Sequence, residues 1–367
     1  MISLPTTWPY RLISRPRFQN WANRTPILHC FVRRDGAAIF DVVQGFVKSQ
    51  ALVALVELKV LEQLRSGTKS AVDLGKVAEI PTDRMNILMQ AGVALGVLRR
   101  SRGNRYGLAR HGAAILGVPG LQQMIRHHHI FYRDLADPVA LFRGEKETEL
   151  SKFWPYVLGF DGTAAADVVQ TYSDLMAQSQ ILVANDTLDT VKLTGMQCLL
   201  DIGGGLGVFL QEAAARYPDI RLMLFDLPQV IEEADQRLGT IGLRDRIKLQ
   251  AGSFKDSDLP AGADVVTLIR VLYDHCDHTV VELLKKVFAA LPAGGQLIVS
   301  EPMSGGHRPR PASDIYFAFY TMAMQTGRTR SPAEIKKLCQ AAGFTKVRSS
   351  RPRRDYVTQI LTAQKPK

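Results

Sequence analysis

The sequence predicts an α/β protein in which a doubly wound, Rossmann-like sheet follows an N-terminal helical, winged-helix-like domain. Three observations predict this fold class. Short apolar runs alternate with helical segments after residue 195, a glycine-rich loop follows the first of these runs, and apolar residues before residue 120 recur every three or four positions. Strands that alternate with helices form a parallel sheet. A chain of 367 residues is long enough for two such folded units.

The N-terminal arm, residues 1–35, is basic. It holds six Arg and one acidic residue, a net charge of +5, and residues 345–367 hold seven Lys or Arg and one acidic residue, a net charge of +6. Since the whole chain carries +11, residues 36–344 are neutral as a group. Aromatic residues lie among the N-terminal arginines, and basic aromatic segments suit an anionic membrane surface. Solvated tails at both ends are the alternative.

The cysteines and the apolar runs indicate a cytoplasmic protein. The four cysteines lie far apart and form no CxxC pair, so neither a disulfide framework nor a cysteine-based zinc site is predicted. The N-terminus lacks the apolar core and small-residue cleavage site of a secretory signal. The longest apolar runs have the length of a strand rather than of a membrane span. We therefore expect reduced thiols and a cytoplasmic location, peripheral to a membrane if the basic arm binds one.

A helical, winged-helix-like domain over residues 36–160 is predicted next. The segment AIFDVVQGFVKSQALVALVELKVLEQL predicts one continuous helix, apolar around much of its circumference, that a core or a subunit interface must cover. A helix, a turn, a second helix and a hairpin around RGNRYGL follow in winged-helix order. The second helix has one Arg near its start and no row of base-reading side chains, so we expect no nucleic acid partner. Helices broken near Pro138, Gly144 and Pro155 lead into a connecting helix over residues 161–195.

The last predicted domain, residues 196–367, contains the ligand site. Its first strand ends at Asp201, a glycine-rich loop follows, and a helix begins near Val208. A dinucleotide fingerprint counted from Gly203 needs a glycine where Val208 stands, which argues against a pyrophosphate. Asp201 can favour an ammonium group, and Asp226 at the end of the next strand can accept hydrogen bonds from both ribose hydroxyls. This combination predicts S-adenosylmethionine (SAM) as ligand and S-adenosylhomocysteine (SAH) as product; a glycine turn beside two incidental acids is the alternative.

Several segments resemble the class of SAM-dependent O-methyltransferases that includes plant caffeate-type and hydroxyindole enzymes, namely DIGGGLG, FDLPQVI, RVLYDHCD, IVSEPM and AAGF. More narrowly, SRPRFQNWA, HHHIFYRDLADPVALFRG and TELSKFWPY are similar to bacterial demethylspheroidene O-methyltransferases of carotenoid biosynthesis. The resemblance implies an enzyme that methylates a tertiary hydroxyl of a hydroxycarotenoid. It also implies a homodimer formed through the N-terminal domain.

The same resemblance implies a set of cofactor-binding residues. Gly203 and Gly205 would lie under the methionyl part, Asp226 would bind the ribose, and Ser253 and Phe254 would flank the adenine. Many relatives carry an acid where this chain has Ser253, whereas Phe254 can still pack on the ring. The set is completed by Asp201, Leu227 and Arg270.

The stretch VLYDHCDH departs from the pattern of this class. Phenol-methylating relatives carry a His at the position of Tyr273 and a Glu at that of Thr329, so the usual general base and its partner are absent. Positioning drives most of a methyl transfer and a tertiary alcohol loses its proton late, so this departure fits an alcohol substrate. His275 is the favoured proton acceptor because a neutral imidazole accepts a proton near pH 7. Further candidates are His278 and Tyr273, with Asp274 and Glu301 as orienting carboxyls.

A helix start offers a simpler interpretation of the same stretch. If Asp274–His278 begins a helix, Asp274 or Asp277 caps it and His275 faces solvent. A metal site is disfavoured because His275 and His278 lack a third ligand nearby. We therefore expect no metal.

Two other segments are expected to contact the substrate. MIRHHHIFY places three His at consecutive helical positions, which face different directions, so at most two reach a pocket. The resemblance implies that this helix lines the substrate pocket, and a metal site is the alternative. The expected substrate contacts are His128, Met176, Tyr316, Tyr320 and Met324. Aromatic rings and sulfur suit an extended polyene, whereas plain core packing is the alternative.

Other functions stay open at the level of sequence. One is methylation of another large pigment, a phenol or a polyketide. Another is a winged-helix regulator that senses SAM. The third is a catalytically silent partner protein, because Tyr273 and Thr329 replace the usual dyad.

Overall fold

The computed structural model describes residues 8–153 and 166–367, except for the side chains of residues 8, 153 and 166–176. The chain divides into two compact units, Met1–Gly117 and Val118–Lys367. Each unit has its own β-sheet, of three strands in the first unit and seven in the second.

The first unit begins with a series of helices: α1 (Trp8–Ile13), α2 (Pro16–Arg24), α3 (Pro26–Val43), α4 (Gly45–Glu57) and α5 (Val60–Gln63). The prediction of one continuous helix over this region is wrong, because α3 and α4 meet at a bend of 48°. Gly45 is the first residue of α4, and glycine is a poor helix former. A second break follows at Lys59, whose φ of 52° is left-handed.

The two long helices of this unit differ in burial. α4 contributes Val53, Leu55 and Val56 to the core, as its apolar pattern predicts. α3 has no buried residue, and Phe40 and Val42 are 62% and 81% exposed. Within one chain, the apolar surface of α3 is therefore not covered. No single helix in the described residues is long and apolar enough to cross a membrane, and α3 with α4 meets that test only as a bent pair.

The winged-helix order is confirmed. It runs β1 (Lys69–Ser70), α6 (Ala71–Ala78), α7 (Thr82–Ala94), β2 (Leu98–Ser101) and β3 (Arg105–Leu108), followed by α8 (Arg110–Gly117). The sheet order is β1-β3-β2 and both pairings are antiparallel. α6 begins with a capping box in which the Ser70 hydroxyl accepts from the Asp73 N–H at 3.1 Å and the Asp73 carboxylate accepts from the Ser70 N–H at 3.2 Å. Such a box satisfies two backbone donors that a helix start leaves open.

Among its described residues, the second unit opens with the helices α9 (Leu121–Asp134), α10 (Pro138–Arg143), α11 (Glu149–Phe153) and α12 (Ala166–Thr190). The predicted breaks near Pro138 and Gly144 are confirmed. Asp137 caps α10 by accepting from the Ala140 N–H at 3.0 Å, and Gly144 ends it with a left-handed φ of 68°. The break predicted near Pro155 lies outside the described residues.

The seven-stranded sheet has the order β6-β5-β4-β7-β8-β10-β9. The five predicted strands are confirmed as a parallel set: β4 (Cys198–Ile202), β5 (Arg221–Asp226), β6 (Ile247–Ala251), β7 (Val265–Ile269) and β8 (Gln296–Glu301). Two antiparallel strands, β9 (Thr345–Ser350) and β10 (Gln359–Gln364), complete the sheet. The interpretation of residues 345–367 as a solvated tail is therefore wrong, because β10 is largely buried between β8 and β9.

Helices cover both faces of this sheet, as in a doubly wound fold. They are α13 (Val208–Arg216), α14 (Pro228–Thr240), α15 (Asp277–Ala290) and α17 (Pro332–Ala341), together with the end of α12. A π-helix at Pro311–Phe317 and α16 (Ala318–Met324) follow β8, and α16 packs against α9 and α11. Along β4, Leu200 joins the core on one face and Leu199 the core on the other. This alternation follows from the two-residue period of a strand. The sheet is thus buried on both sides, and its carboxyl edge is left to form a site.

Candidate active site

The candidate site lies at the carboxyl ends of β4 and β7, the centre of the sheet. From β4 the chain proceeds to β5 and β6 on one side and to β7 and β8 on the other. Ligands of open α/β sheets bind in the crevice at such a switch point. The segments that follow β4, β5, β6, β7 and β8 carry the residues that the sequence predicted for the cofactor and for catalysis.

The first two glycines of the loop after β4, Gly203 and Gly204, are packed too closely for a side chain. Gly203 and Gly205 have left-handed φ angles of 67° and 58°. A Cβ on Gly204 would lie 2.4 Å from Oδ2 of Asp201, and a Cβ on Gly203 would lie 3.0 Å from Cγ2 of Val271. The loop therefore contacts both the end of β4 and the segment after β7. The helix that follows begins at Val208, as predicted.

Asp201 is fully buried at the end of β4. Its Oδ1 accepts from the Thr267 hydroxyl at 2.6 Å, and its Oδ2 has no hydrogen-bond partner among the described residues. Burial raises the pKa of Asp201 to about 7, against the opposing effect of the Thr267 hydrogen bond. An unsatisfied buried oxygen is costly, so this carboxyl is suited to a bound donor or a bound proton.

Asp226 joins the glycine loop to the end of β5. Its Oδ2 accepts from the Gly205 N–H and its Oδ1 accepts from the Leu227 N–H, each at 2.8 Å. Burial raises the pKa of Asp226 to about 6, although both backbone hydrogen bonds lower it. Each carboxylate oxygen keeps a further lone pair for a ligand.

The turn after β6 holds Ser253 and Phe254. The Ser253 hydroxyl accepts from the Lys255 N–H at 3.2 Å, so it stabilises the turn itself. The Phe254 ring packs edge-on against the His275 ring, with 5.2 Å between centroids. This contact places His275 beside the predicted adenine neighbour. Burial lowers the pKa of His275 to about 4, and Lys255 and Arg330 lower it further.

Tyr273, Asp274 and Arg270 form a second group, after β7. The Arg270 guanidinium donates to the Ser179 hydroxyl at 2.9 Å and to the Tyr273 hydroxyl at 3.4 Å, and the φ of Arg270 is left-handed at 59°. Non-glycine residues with such a φ are uncommon, and strain of this kind clusters at functional sites. Burial raises the pKa of Tyr273 well above its ordinary value, so the phenol stays protonated.

Two carboxyls in this region each have one buried oxygen without a partner among the described residues. These oxygens are Oδ1 of Asp274 and Oε1 of Glu301. Burial raises the pKa of Asp274 to about 7, while the Arg270 guanidinium and a hydrogen bond from Tyr273 lower it. Burial raises the pKa of Glu301 to about 8, and its Oε2 accepts from the Tyr273 N–H at 3.2 Å. The two carboxyls therefore favour different protonation states at neutral pH.

The helix-start interpretation of VLYDHCDH needs a correction. α15 begins at Asp277 with Cys276 at the N-cap, so neither Asp274 nor Asp277 caps it, and no side-chain cap bond is formed. His275 is half-buried rather than solvent-facing, whereas His278 is exposed. His278 is therefore not brought to the group around Tyr273 and Asp274.

Sequence reasoning missed Arg330, the largest fully buried side chain of the described residues. Its guanidinium donates to the carbonyl oxygens of Leu272 and His275 at 2.7 and 2.8 Å and to Oδ1 of Asp277 at 2.6 Å. It thereby fixes both ends of the segment that carries Tyr273 and Asp274. The available signal in the sequence was that Arg330 directly follows Thr329, a position already singled out. The local sequence pattern does not reveal that the Arg330 side chain is buried.

Lys286 was also missed. Its ammonium group on α15 donates to the carbonyl oxygens of Phe254, Lys255 and Ser257 at 2.9 to 3.0 Å. These contacts hold the turn that positions Phe254. A lysine in the middle of an amphipathic helix gives no sequence signal for such a contact.

The predicted substrate residues fall into two groups. His128 Nε2 lies 2.8 Å from the Tyr316 hydroxyl, and both side chains are half-buried. Tyr320 and Met324 are buried with Phe131 in an apolar cluster, which matches the alternative of core packing, and the Tyr320 ring stacks on the Tyr316 ring with 6.1 Å between centroids. The Met176 side chain lies outside the described residues. Burial raises the pKa of Tyr316 to about 12, and the positive charge of Arg270 lowers it. Arg270, in the segment after β7, is therefore within electrostatic range of the pair formed by His128 and Tyr316.

The three consecutive histidines face different directions, as predicted. His127 is buried with its Nε2 2.7 Å from the Tyr320 hydroxyl, His128 is half-buried, and His129 is exposed. Across residues 8–153 and 166–367, apart from the side chains that are not described, no three His, Cys, Asp or Glu are grouped so as to hold a metal ion.

Family models and relatives agree with this architecture. Residues 40–117 match an O-methyltransferase dimerisation domain and residues 132–345 match an O-methyltransferase domain. Demethylspheroidene O-methyltransferase of Cereibacter sphaeroides is 50% identical over 97% of this chain and 94% of the relative. The enzyme of the same name from Rhodobacter capsulatus is 47% identical over 97% of this chain and 88% of the relative.

A solved structure supports the fold. Human N-acetylserotonin methyltransferase in complex with SAM superposes with a TM-score of 0.75 at 21% identity, over 91% of this chain and 98% of that one. At this identity the likeness concerns the fold. The family match over more than half of the chain and the near-full-length relatives establish that the chain belongs to the O-methyltransferase family.

Proposed function

We propose that this enzyme transfers the methyl group of SAM to a tertiary hydroxyl of a carotenoid of the demethylspheroidene type. The observation that carries this proposal is the identity of 50% and 47% to two demethylspheroidene O-methyltransferases over nearly their whole length. The replacement of the usual His by Tyr273 supports an alcohol rather than a phenol as acceptor.

The residues at the carboxyl ends of β4 and β5 suit SAM. Gly203 and Gly205 leave the backbone open to close approach, and the free lone pairs of Asp226 suit two ribose hydroxyls. The unpartnered Oδ2 of Asp201 is an acceptor for an ammonium group. Leu227 and Phe254 complete the apolar surroundings of the ribose and adenine. When bound, SAM supplies an electrophilic methyl group on a positively charged sulfur.

Asp274 has stronger support as proton acceptor than His275, which the sequence favoured. His275 packs on Phe254, and with a pKa of about 4 it is a weak base. Asp274 has a free buried oxygen and a pKa of about 7, close to the value at which a general base works best at neutral pH. Its carboxylate would take the proton of the acceptor hydroxyl as the oxygen bonds to the methyl carbon and the bond from that carbon to the sulfur of SAM breaks, leaving SAH.

The other groups around Asp274 act on position rather than on the proton. Arg270 is held by Ser179 and in turn donates to the Tyr273 hydroxyl, so it orients the Tyr273 side chain. Glu301, protonated at neutral pH, fixes the Tyr273 backbone. The pair of His128 and Tyr316 offers polar atoms that orient the substrate hydroxyl, and neighbouring apolar side chains suit the polyene.

The first unit suits a homodimer. The dimerisation-domain match spans residues 40–117, and α3 presents Ile39, Phe40, Val42 and Val43, which are 58% to 81% exposed. A second copy of the chain removes this apolar surface from water. We further propose peripheral contact of the basic arm with an anionic membrane, because α1 and α2 combine arginines with exposed Tyr10 and Trp21.

The test is a transfer assay with SAM labelled in the methyl group. We expect label in the methyl ether of demethylspheroidene. With catechol we expect less than about a hundredth of that rate, because this enzyme has Tyr273 where phenol-methylating relatives have the His that acts as base. Comparable turnover of catechol would instead indicate a phenol methyltransferase. Salt-dependent binding to duplex DNA without transfer to any pigment would indicate a SAM-sensing regulator. NADH binding together with indifference to SAH would refute the ligand assignment.

A further inference from the structure

The positive charge of the chain is concentrated in one unit. Met1–Gly117 contains 17 Lys or Arg and 7 Asp or Glu, a net charge of +10, whereas Val118–Lys367 contains 29 and 28, a net charge of +1. The arm at residues 1–35 supplies half of the +10. The rest comes from the winged-helix part, which the assigned activity does not use.

Within that part the cations gather on the small sheet. The strands β1, β2 and β3 and the turn between β2 and β3 carry Lys69, Arg99, Arg100, Arg102 and Arg105 and no acidic residue. We call the segment Leu98–Leu108 the arginine wing. It lies in a longer stretch, residues 84–133, that contains no Asp or Glu. A single-sign surface of this kind attracts anions over distances of about a Debye length, roughly 10 Å at 0.1 M salt.

All four arginines of the wing are exposed, and hydrogen bonds hold three of them in place. Arg99 donates to the Ser101 hydroxyl at 3.0 Å and to the Leu108 carbonyl at 3.2 Å, and its guanidinium lies against Gly107, where a Cβ would be 3.6 Å from Nη2. Arg100 donates to the Asn104 side chain at 2.8 Å. Arg105 donates to the Thr68 hydroxyl at 3.2 Å. These bonds order the side chains without using all of their donors.

None of the four wing arginines is in a salt bridge within the described residues. Asp73 is close enough to Arg105 for the charge of that arginine to lower its pKa, but the Asp73 carboxylate is bonded to Ser70. Ordered guanidinium groups with free donors match the geometry of phosphate oxygens. The wing is therefore prepared for an anionic partner that the described part of the chain does not supply.

We infer that the arginine wing docks the protein on an anionic phospholipid surface, through exposed guanidinium groups that lie on an acid-free antiparallel sheet. Phosphates of nucleic acid share this chemistry, but other features of the unit favour lipid. α7, the helix that would enter a DNA groove, has one arginine and exposes Ile87, which is 70% accessible. The arm exposes Trp21 and Ile27, which insert in a lipid interface and have no role on a phosphate backbone.

The inference rests on the proposed function in one respect, since a polyene substrate resides in a bilayer and an enzyme that acts on it gains from residence at that surface. It differs from the proposed arm contact because it assigns binding to a folded, ordered surface. Each cation near an anionic surface contributes about 1 kcal/mol, which corresponds to about a fivefold change in partition coefficient. Removal of four arginines is therefore expected to lower partitioning by on the order of 10² or more.

The experiment measures sedimentation of the full-length chain with vesicles of phosphatidylcholine alone or with about a third of phosphatidylglycerol. The variant is R99Q/R100Q/R102Q/R105Q. The matched control, K346Q/R348Q/R351Q/R353Q, removes the same charge from exposed positions of the second unit. We expect binding of the wild type to anionic vesicles only, loss of at least tenfold in the wing variant, retention within about threefold in the control, and weakening of binding by salt.

Three results would overturn the inference: equal binding to neutral vesicles, equal loss in both variants, or a wing variant that loses duplex DNA binding but keeps its vesicle binding. Transfer to a detergent-dispersed carotenoid separates this inference from the proposed function. The wing variant should keep this transfer activity. If the wild type lacks the transfer activity, the proposed function is refuted, and the vesicle-binding experiment still tests the inference about the wing. If the fourfold variant does not fold by circular dichroism, R102Q in the turn is the substitute, with an expected loss of about fivefold.

Discussion

Replacement of Asp274 by Asn tests the assignment of the proton acceptor most directly. Asn has nearly the same shape as Asp and can accept a hydrogen bond, but it cannot take up a proton. General-base catalysis contributes about 10² to 10⁴ in rate, which corresponds to about 3 to 5 kcal/mol of activation free energy. We therefore expect kcat of Asp274→Asn to fall by that factor, while the affinity for SAH, measured by calorimetry, changes by less than about threefold.

The pH dependence gives an independent readout. With a pKa of about 7, Asp274 is half ionised at pH 7. Because the base must be ionised, kcat of the wild type is expected to fall about tenfold for each unit below pH 7 and to reach a plateau above pH 8. If His275 were the base, its pKa of about 4 would instead place this acid limb of the pH profile, the fall in kcat, near pH 4. The variant with Asn at position 274 should lose the limb near pH 7.

His275→Gln is the matched control. It removes the imidazole that packs on Phe254, so we expect a higher KM for SAM and an unchanged limb near pH 7. The reasoning is refuted if Asp274→Asn retains more than a fifth of the wild-type kcat. It is also refuted if the acid limb disappears in His275→Gln and persists in Asp274→Asn.

Three further substitutions test other parts of the site. The wild type should lose stability as pH rises from about 4.5 to about 8, because the buried Glu301 favours folding only while it is protonated. Glu301→Gln should abolish this loss, which is at most about 1.4 kcal/mol per pH unit and is measured by urea midpoints at pH 5 and 8. Arg330→Met should lower the free energy of unfolding by about 3 kcal/mol, because it leaves buried partners of the guanidinium unpaired. Arg328→Met breaks only exposed ion pairs and should lower the free energy of unfolding by less than about 1 kcal/mol; thermal melts compare the two variants. Gly204→Ala places a Cβ 2.4 Å from a carboxylate oxygen and should weaken SAH binding at least about tenfold in calorimetry, whereas Gly239→Ala, with no atom within 4 Å, should bind SAH normally.

The parallel part of the sheet and the placement of its acids were predictable because both follow from local pattern. Apolar runs that end in Asp201 and Asp226 mark strands whose carboxyl ends meet in space, and the glycine loop between strand and helix marks the ligand edge. The helix break at Gln44 was missed because apolar periodicity continues across it. Periodicity reports which face is apolar and is insensitive to a bend.

The contacts that hold the catalytic segment could not be predicted from local pattern. Arg330 acts on residues more than fifty positions earlier in the chain, and Lys286 acts on a turn about thirty positions earlier. The position of His275 against Phe254 likewise depends on how the turn after β6 meets the segment after β7. Such long-range pairings require the topology, which single-sequence patterns do not contain. Strand β10 was missed for a related reason, since its burial depends on neighbours from distant parts of the chain.

The position of β10, between β8 and the edge strand β9, sets the order in which this sheet can be completed during folding. Its residues pair with β8 along their whole length, with Gln359 opposite Glu301, and its other side pairs with β9. Until this late segment arrives, β8 presents an open edge of backbone donors and acceptors, which is a template for association with other chains. Closing a loop of roughly sixty residues is entropically costly, so this step is slow relative to the local pairings of the winged helix. A newly made chain is thus most prone to aggregate in the interval before β10 docks.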